Sequence, residues 1–190
     1  MPRKARIKLS DELKDAIAGL PEKEKDKLLF RLIPKDAALV DRLTYELIED
    51  ADSPEERRAD LRQEIELVLK KSAAYFYSPG YLLLDLRAIS GAINRHVKTT
   101  KDRYGEIELN LFMLNYSLDL LAGQLRFFGH QKSRTLDTYI IKRAEKLQKL
   151  IYKLHEDYQL DFSDDWDKLT AHIDTIPNLK RMARVLEFWY

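Results

Sequence analysis

The stretch from residue 106 to residue 128 constrains the fold of this chain most strongly. Its large apolar residues recur at alternating intervals of four and three, the repeat of one helix face, at Ile107, Leu111, Leu114, Leu118, Leu121, Leu125 and Phe128. A second apolar face, about 140° around the helix from the first, holds Leu109, Met113, Tyr116, Leu120 and Phe127. Because a helix with two apolar faces must be covered on both, we predict a central buried helix over 106–128.

A narrow polar line separates these two faces. It consists of Glu108, Asn115, Asp119 and Arg126, which project within about 40° of one direction on a helical wheel. Two interpretations stay open. The line is either a thin strip facing solvent, with Asp119 and Arg126 in ordinary surface pairings, or the lining of a groove. Charged residues are rarely fully buried without a partner, which favours the solvent-facing strip.

The balance of charge in the 190-residue chain limits its partners. There are 33 Lys and Arg residues against 32 Asp and Glu residues, so the formal net charge of +1 provides no field that would attract nucleic acid or an anionic membrane. No apolar run approaches the roughly 18 residues of a membrane helix. Residues 1–9 lack the apolar core of a secretory signal, and the absence of cysteine fits a reducing compartment. We therefore expect a soluble, cytoplasmic protein without a membrane partner.

Residues 10–50 predict three short helices joined by tight proline turns. Ser10 and Asp36 are suited to cap the first and the third of these helices. The second helix is apolar at Leu28, Leu29, Leu32 and Ile33, and the third is expected to bury Leu39, Val40, Leu43, Leu47 and Ile48. The hairpins resemble those of HEAT-type helical repeats in architecture, and this resemblance implies a protein-binding superhelix. Acidic residues outnumber Arg42 on the third helix, which argues against a DNA-recognition helix.

Longer helices follow within 54–158. Ser53 and Pro54, with acidic residues behind them, form a strong helix start. The next helix, 81–99, carries one polar stripe formed by Arg87, Gly91, Asn94 and Lys98. A glycine inside a helix costs up to about 1 kcal/mol relative to alanine. Gly91 therefore indicates the close approach of another helix or of a ligand.

Basic residues cluster where this helix meets the central one, and residues 98–105 are predicted to form a loop. A basic loop beside a helix N-terminus can hold a phosphate or a carboxylate, although a solvated loop explains the same residues. The predicted complement is an acidic peptide or a phosphorylated ligand. The predicted ligand or partner surface comprises Arg87, Asn94, Arg95, Lys98, Lys101, Arg103, Glu108, Asn115 and Asp119.

A continuous lysine stripe runs along one face of the seventh predicted helix, at Lys142, Lys146, Lys149 and Lys153. Phosphate recognition commonly uses arginine forks and aromatic platforms, which this stripe lacks. We therefore interpret the stripe as a solvated face and do not expect nucleic acid as a partner.

The sequence contains none of the common catalytic motifs. The four histidines, His96, His130, His155 and His172, lack the paired spacing of a metalloprotease helix. A group of acids resembles the clusters with which all-α nucleotide pyrophosphatases hold magnesium, but a solvated helix end explains it better. These acids are Glu46, Glu49, Asp50, Glu56 and Asp60. We predict no catalytic residue, no metal site and no cofactor.

Together these patterns predict one all-α domain over 1–190, with eight or nine helices in an antiparallel bundle or irregular α-superhelix. Its parts are short helical hairpins at 10–50, a core of longer helices at 54–158 and a C-terminal helical cap at 163–190. The terminal aromatic residues are expected to clamp this cap onto its own domain, and they are Phe188, Trp189 and Tyr190.

The function that best fits these features is a non-enzymatic helical scaffold or adaptor that binds another protein. The alternative is an enzyme or small-ligand-binding protein that uses a polar groove between helices 81–99 and 106–128. The sequence predicts no particular oligomeric state.

Overall fold

The computed structural model describes residues 8–49 and 54–190 of the chain. These residues contain ten α-helices, one 3-10 turn and no strand, so the predicted all-α class is confirmed. The chain divides into two compact units, 1–50 and 51–190. The organisation of both units into a single domain stays a prediction.

The first unit consists of short helices with the two caps that the sequence predicts. Leu13 N donates to Ser10 Oγ at 3.3 Å, and Ala38 N donates to Asp36 Oδ1 at 3.0 Å. Each cap satisfies a backbone donor that the first turn of a helix leaves unpaired. The elements are α1 (Asp11–Ala18), α2 (Glu22–Leu32), a 3-10 turn (Ile33–Lys35) and α3 (Ala37–Leu47).

The apolar side chains of the first unit are less buried than their spacing predicts. Tyr45 is buried, whereas Leu47 and Ile48 are 76% and 80% exposed. Exposed as well are Leu39 and Val40, so the predicted burial of these four side chains is wrong. On α2, Leu29 and Leu32 are also exposed. Three helices of 8 to 11 residues enclose little volume, and α3 ends at Leu47, before Ile48.

The second unit contains the longer helices. They are α4 (Glu55–Ala74), α5 (Pro79–Thr100), α6 (Arg103–Leu125), α7 (His130–Ile151), α8 (Glu156–Leu160), α9 (Ser163–Thr175) and α10 (Pro177–Val185). Prolines begin α5 and α10, where a missing backbone N–H costs nothing. Pro54 is predicted at the first helical position but stands at the N-cap, one residue before α4 begins, while the predicted cap Ser53 lies outside the described residues. The short helix α8 has no counterpart in the predicted helices.

The helix α6 lies at the centre of the second unit and packs against α4, α5, α7 and α9. The residues of the first apolar face that lie within this helix are at most 4% exposed: Ile107, Leu111, Leu114, Leu118, Leu121 and Leu125. On the second face Leu109 and Met113 are fully buried, but Phe127 is 90% exposed. The helix ends at Leu125, so the chain beyond it no longer follows that face. The predicted burial of Phe127 is therefore wrong, and the central-helix assignment is confirmed.

Of the three terminal aromatic residues, Phe188 is the one that is buried in the second unit. Phe188 is 5% exposed, whereas Trp189 and Tyr190 are 74% and 44% exposed. Glu187 adopts a left-handed conformation with φ of 53°, and the turn lets Phe188 N donate to the Ala183 carbonyl at 2.9 Å. The predicted clamp therefore rests mainly on Phe188. Tyr190 adds a ring contact to Phe188, whereas Trp189 is largely exposed.

Candidate functional site

The polar line of α6 makes contacts to neighbouring helices. Glu108 accepts hydrogen bonds from Arg58 and Arg62 of α4, with distances from Nη1 to the carboxylate oxygens of 3.3 and 3.1 Å. Asn115 Nδ2 donates to the backbone carbonyl of Asp165 in α9 at 2.8 Å. The first half of the line thus joins α6 to a different helix on each side.

Asp119 continues these contacts toward the end of α6. Its carboxylate lies 2.7 Å from Lys168 Nζ and 3.0 Å from His172 Nε2, both on α9. Arg126 stands just past the end of the helix and is exposed. Asp119 is exposed and forms surface pairs, as the solvent-facing interpretation predicts, whereas Glu108 and the buried Asn115 make contacts between helices that neither interpretation predicts.

A buried carboxylate occupies the N-terminus of α6, where the sequence suggests an anion site. Asp102 Oδ1 accepts from Gly105 N at 2.8 Å, and its Oδ2 lies 2.9 Å from Arg58 Nε and 3.2 Å from His96 Nε2. Burial raises the pKa of Asp102, but the hydrogen bonds from His96, Gly105 and Arg58 outweigh it and bring the pKa down to about 2. The carboxylate of Asp102 therefore already pairs with the N–H donor and the cations that an external anion would use at this helix end.

The predicted loop at 98–105 is reduced to Lys101 and Asp102, because α5 extends to Thr100 and α6 begins at Arg103. Lys101 adopts a left-handed conformation with φ of 63° and ends α5. The remaining predicted surface residues nearby are all exposed, namely Asn94, Arg95, Lys98, Lys101 and Arg103. They lie on α5, at the turn after it and at the start of α6.

Gly91 does not mark the close approach of another element. Outside its own helix backbone, the nearest heavy atom to an added Cβ would be Arg95 Nη1 at 3.7 Å, which is ordinary van der Waals contact. The prediction that another helix packs closely at this glycine is therefore wrong, and the approach of a ligand there stays a prediction.

Arg87, one of the predicted surface residues, lies in a groove between two helices. It lies on α5 and lines a groove of about 540 Å³ together with residues of α7. We refer to this feature as the α5–α7 groove. Its lining consists of Arg87, Arg134, Thr135, Thr138, Tyr139, Lys142, Arg143 and Lys146.

Tyr139 connects the two walls of the α5–α7 groove. Its hydroxyl donates to the Leu86 carbonyl of α5 at 3.1 Å and shares a short hydrogen bond with Ser90 Oγ. Arg143 Nη2 donates to the same hydroxyl at 3.2 Å, and its guanidinium carbon lies 5.4 Å from the centre of the Tyr139 ring. These contacts restrict the position of the Arg143 guanidinium on the groove wall.

The α5–α7 groove is strongly cationic. Five of its lining residues are Lys or Arg, and none is acidic. Lys146 is paired with Glu106 of α6 at 2.5 Å. The structure records no carboxylate partner for the other four among the residues it describes, and these are Arg87, Arg134, Lys142 and Arg143. The groove therefore holds positive charge that a bound anion can compensate.

Sequence reasoning found only part of this site. Lys142 and Lys146 belong to the lysine stripe interpreted as solvated, and Arg134 and Arg143 were not singled out. Two helical rows in the sequence carry the signal, one at 134, 138, 142 and 146 and one at 135, 139 and 143, each spaced by four residues. The packing of α5 against α7, which adds Arg87, is a tertiary contact that one helix pattern does not reveal.

Three of the four histidines form polar contacts, and the buried Nδ1 of His130 has no hydrogen-bond partner within the described ranges. His96 and His172 pair with Asp102 and Asp119, while His155 accepts from Asp157 N at the start of α8. No group of three or more His, Asp or Glu residues positioned to hold a metal ion occurs within 8–49 and 54–190. Of the acidic cluster considered above, Asp50 lies outside these ranges.

Comparison with known proteins produced no match to a family model, to a curated protein or to a solved structure. In the described part of the chain, no helix combines the length and the apolar character needed to cross a membrane. The assignment of the site therefore rests on its own geometry.

Proposed function

We propose that this protein is a helical adaptor that binds an acidic segment of another protein in the α5–α7 groove. The observation that carries the proposal is the concentration of five cationic side chains, with no acidic one, on the walls of a single groove. The formal net charge of the whole chain is only +1, so this charge is a local property of the groove.

The distribution of the cations favours an extended partner over a compact ligand. Arg134 and Lys146 stand at opposite ends of the lined part of α7, which is about 18 Å long at about 1.5 Å per residue. An extended segment of about five or six residues covers that length. Charges spread along such a line match acidic groups carried by an extended segment, whereas a small molecule would reach only some of them.

The energetic requirement for such a complex is modest. Each new charge pair at about 4 Å contributes about 1 kcal/mol in water and up to about 4 kcal/mol near a protein surface. Arg87, Arg134 and Lys142 are exposed and would therefore act through screened pairs. Because the Debye length is about 8 Å at physiological salt, the interaction weakens as salt is added.

Fluorescence anisotropy with a short labelled polyglutamate peptide tests the proposal. The full chain is compared with a groove variant, Arg87→Ala, Arg134→Ala and Lys142→Ala, and with a matched variant, Arg95→Ala, Lys98→Ala and Lys101→Ala. Both variants remove three exposed cations, but the second removes them outside the α5–α7 groove. We expect salt-sensitive binding that the groove variant loses and the matched variant keeps.

Two outcomes of this experiment would overturn the proposal. One is the absence of binding by the full chain at low salt. The other is equal loss of binding in both triple variants, which would assign the effect to net charge alone. If the full chain instead bound single-stranded RNA more tightly than polyglutamate, the partner class would be nucleic acid and the adaptor proposal would be wrong.

A further inference from the structure

We infer that the α5–α7 groove selects a segment carrying a phosphorylated serine or threonine over one with carboxylates alone. Arg143 and Arg87 are the residues that contact the phosphate. This inference rests on the proposed function, because it specifies which acidic segment the groove binds.

The Arg143 guanidinium is held in place before any ligand arrives. Its Nη2 donates to the Tyr139 hydroxyl at 3.2 Å, and the hydroxyl is itself fixed to the Leu86 carbonyl at 3.1 Å. A guanidinium has five N–H donors in a planar fork, so the contact with Tyr139 leaves others for a ligand. A positioned fork loses less conformational entropy on binding than a mobile lysine chain.

Arginines line the α5–α7 groove from both of its helices. Leu86, the acceptor for Tyr139, directly precedes Arg87, and both Arg87 and Arg143 line the groove. A phosphate with several oxygen acceptors can bridge donors on two helices, whereas a glutamate carboxylate offers only two oxygens. The placement of arginines on opposite walls therefore matches a phosphate better.

Most of the positive charge in the α5–α7 groove has no carboxylate partner among the described residues. Glu106 pairs with Lys146, and the structure records no carboxylate pairing for Arg87, Arg134, Lys142 or Arg143 among its described residues. Phosphoserine carries a charge of about −1.5 to −2 near neutral pH. One phosphorylated side chain therefore neutralises more of this excess than one glutamate does.

The test compares three peptides that differ only in a central residue, which is phosphoserine, glutamate or serine. Their affinities for the full chain are measured by anisotropy at one salt concentration and at pH 7.5. We expect the phosphoserine peptide to bind about tenfold more tightly than the glutamate peptide. The serine peptide should bind more weakly than both.

Two variants examine the contact to phosphate itself. Arg143→Lys keeps the charge and removes the fork, and Tyr139→Phe keeps the ring and removes the hydroxyl that positions Arg143. Both should bring the ratio of the phosphoserine to the glutamate affinity close to one. The matched control is Arg95→Lys, which makes the same chemical change at an exposed arginine outside the α5–α7 groove and should leave the ratio unchanged. Circular dichroism of each variant checks that the helices remain folded.

The outcomes separate this inference from the proposed function. If the glutamate peptide binds and phosphoserine gives no advantage, the inference is wrong and the adaptor proposal stands. If no peptide binds, the adaptor proposal is wrong and the inference falls with it. The inference is also wrong if Arg143→Lys retains the full phosphoserine preference. The same holds if inorganic phosphate displaces the glutamate peptide as effectively as the phosphopeptide does.

Discussion

Asp102 Oδ1 accepts a hydrogen bond from the Gly105 backbone amide, with 2.8 Å between oxygen and nitrogen. The same carboxylate binds Arg58 and His96 through its other oxygen, so one buried acid connects α4, α5 and the first turn of α6. Gly105 is required beside it, because a Cβ there would lie 2.1 Å from Asp102 Oδ2 and 2.8 Å from Arg58 Nε.

Gly105→Ala should therefore destabilise the protein although alanine is the better helix former. The added methyl group displaces the carboxylate and disrupts the cap and the ion pair with Arg58, at an expected cost of about 2 to 4 kcal/mol. Urea unfolding measures this free energy. The control is Gly123→Ala in the same helix, where an added Cβ meets nothing within 4 Å and should stabilise the protein by up to about 1 kcal/mol. Equal effects of the two substitutions would contradict the role assigned to Asp102.

The helices of this protein could be predicted because their signals are local. Ser10 and Asp36 each lie within three residues of the amides they cap, and the spacing from Ile107 to Leu125 follows a single helix. The sequence carries no clear signal for the end of α6. No proline or glycine interrupts the apolar pattern at Leu125, so the prediction extends three residues too far.

The α5–α7 groove could not be predicted in the same way. Arg87 and Arg143 are far apart in the sequence, and each resembles an ordinary surface residue on its own helix. Only the packing of α5 against α7 brings them to one groove. On the polar line of α6 the sequence misleads in the opposite way. Glu108 and Asp119 share a helix face and so are expected to lie at one site, but they pair with different neighbouring helices.

The buried Asp137 should make the stability of the protein depend on pH. It is 3% exposed and accepts from Ser133 Oγ at 2.6 Å; burial raises its pKa to about 6, with the Ser133 hydrogen bond opposing the rise. A pKa raised above the ordinary 3.8 means that the folded state favours the protonated acid. The stabilising contribution is therefore complete below about pH 4 and is lost as the pH rises through about 6.

Asp137→Asn removes this dependence because the amide stays neutral. At pH 8 we expect the free energy of unfolding of the variant to exceed that of the parent by on the order of 1 to 3 kcal/mol. At pH 4 the two free energies should differ little. Denaturant unfolding at the two pH values measures the change. A variant that is less stable than the parent at pH 8 would show that the ionised carboxylate is stabilising instead.

Because α6 is central, a cavity on its first apolar face should lower the stability of the protein strongly. Leu118 is fully buried, and Leu118→Ala should reduce the unfolding free energy by about 2 to 5 kcal/mol. Leu84→Ala is the matched control, because Leu84 lies on α5 and is 60% exposed, so its loss should change stability by less than about 0.5 kcal/mol. Similar midpoints for the parent and Leu118→Ala in a urea titration would contradict the assignment of α6 as the core helix.

The central claim is that an acidic segment binds in the α5–α7 groove, and a nuclear magnetic resonance titration tests it most directly. Isotope-labelled protein is titrated with the polyglutamate peptide, and the shifts of assigned backbone amides and arginine side chains are followed. The account predicts the largest shifts at Arg87 and along residues 134–146. Shifts that are instead concentrated at residues 94–103, with residues 134–146 unchanged, would contradict it.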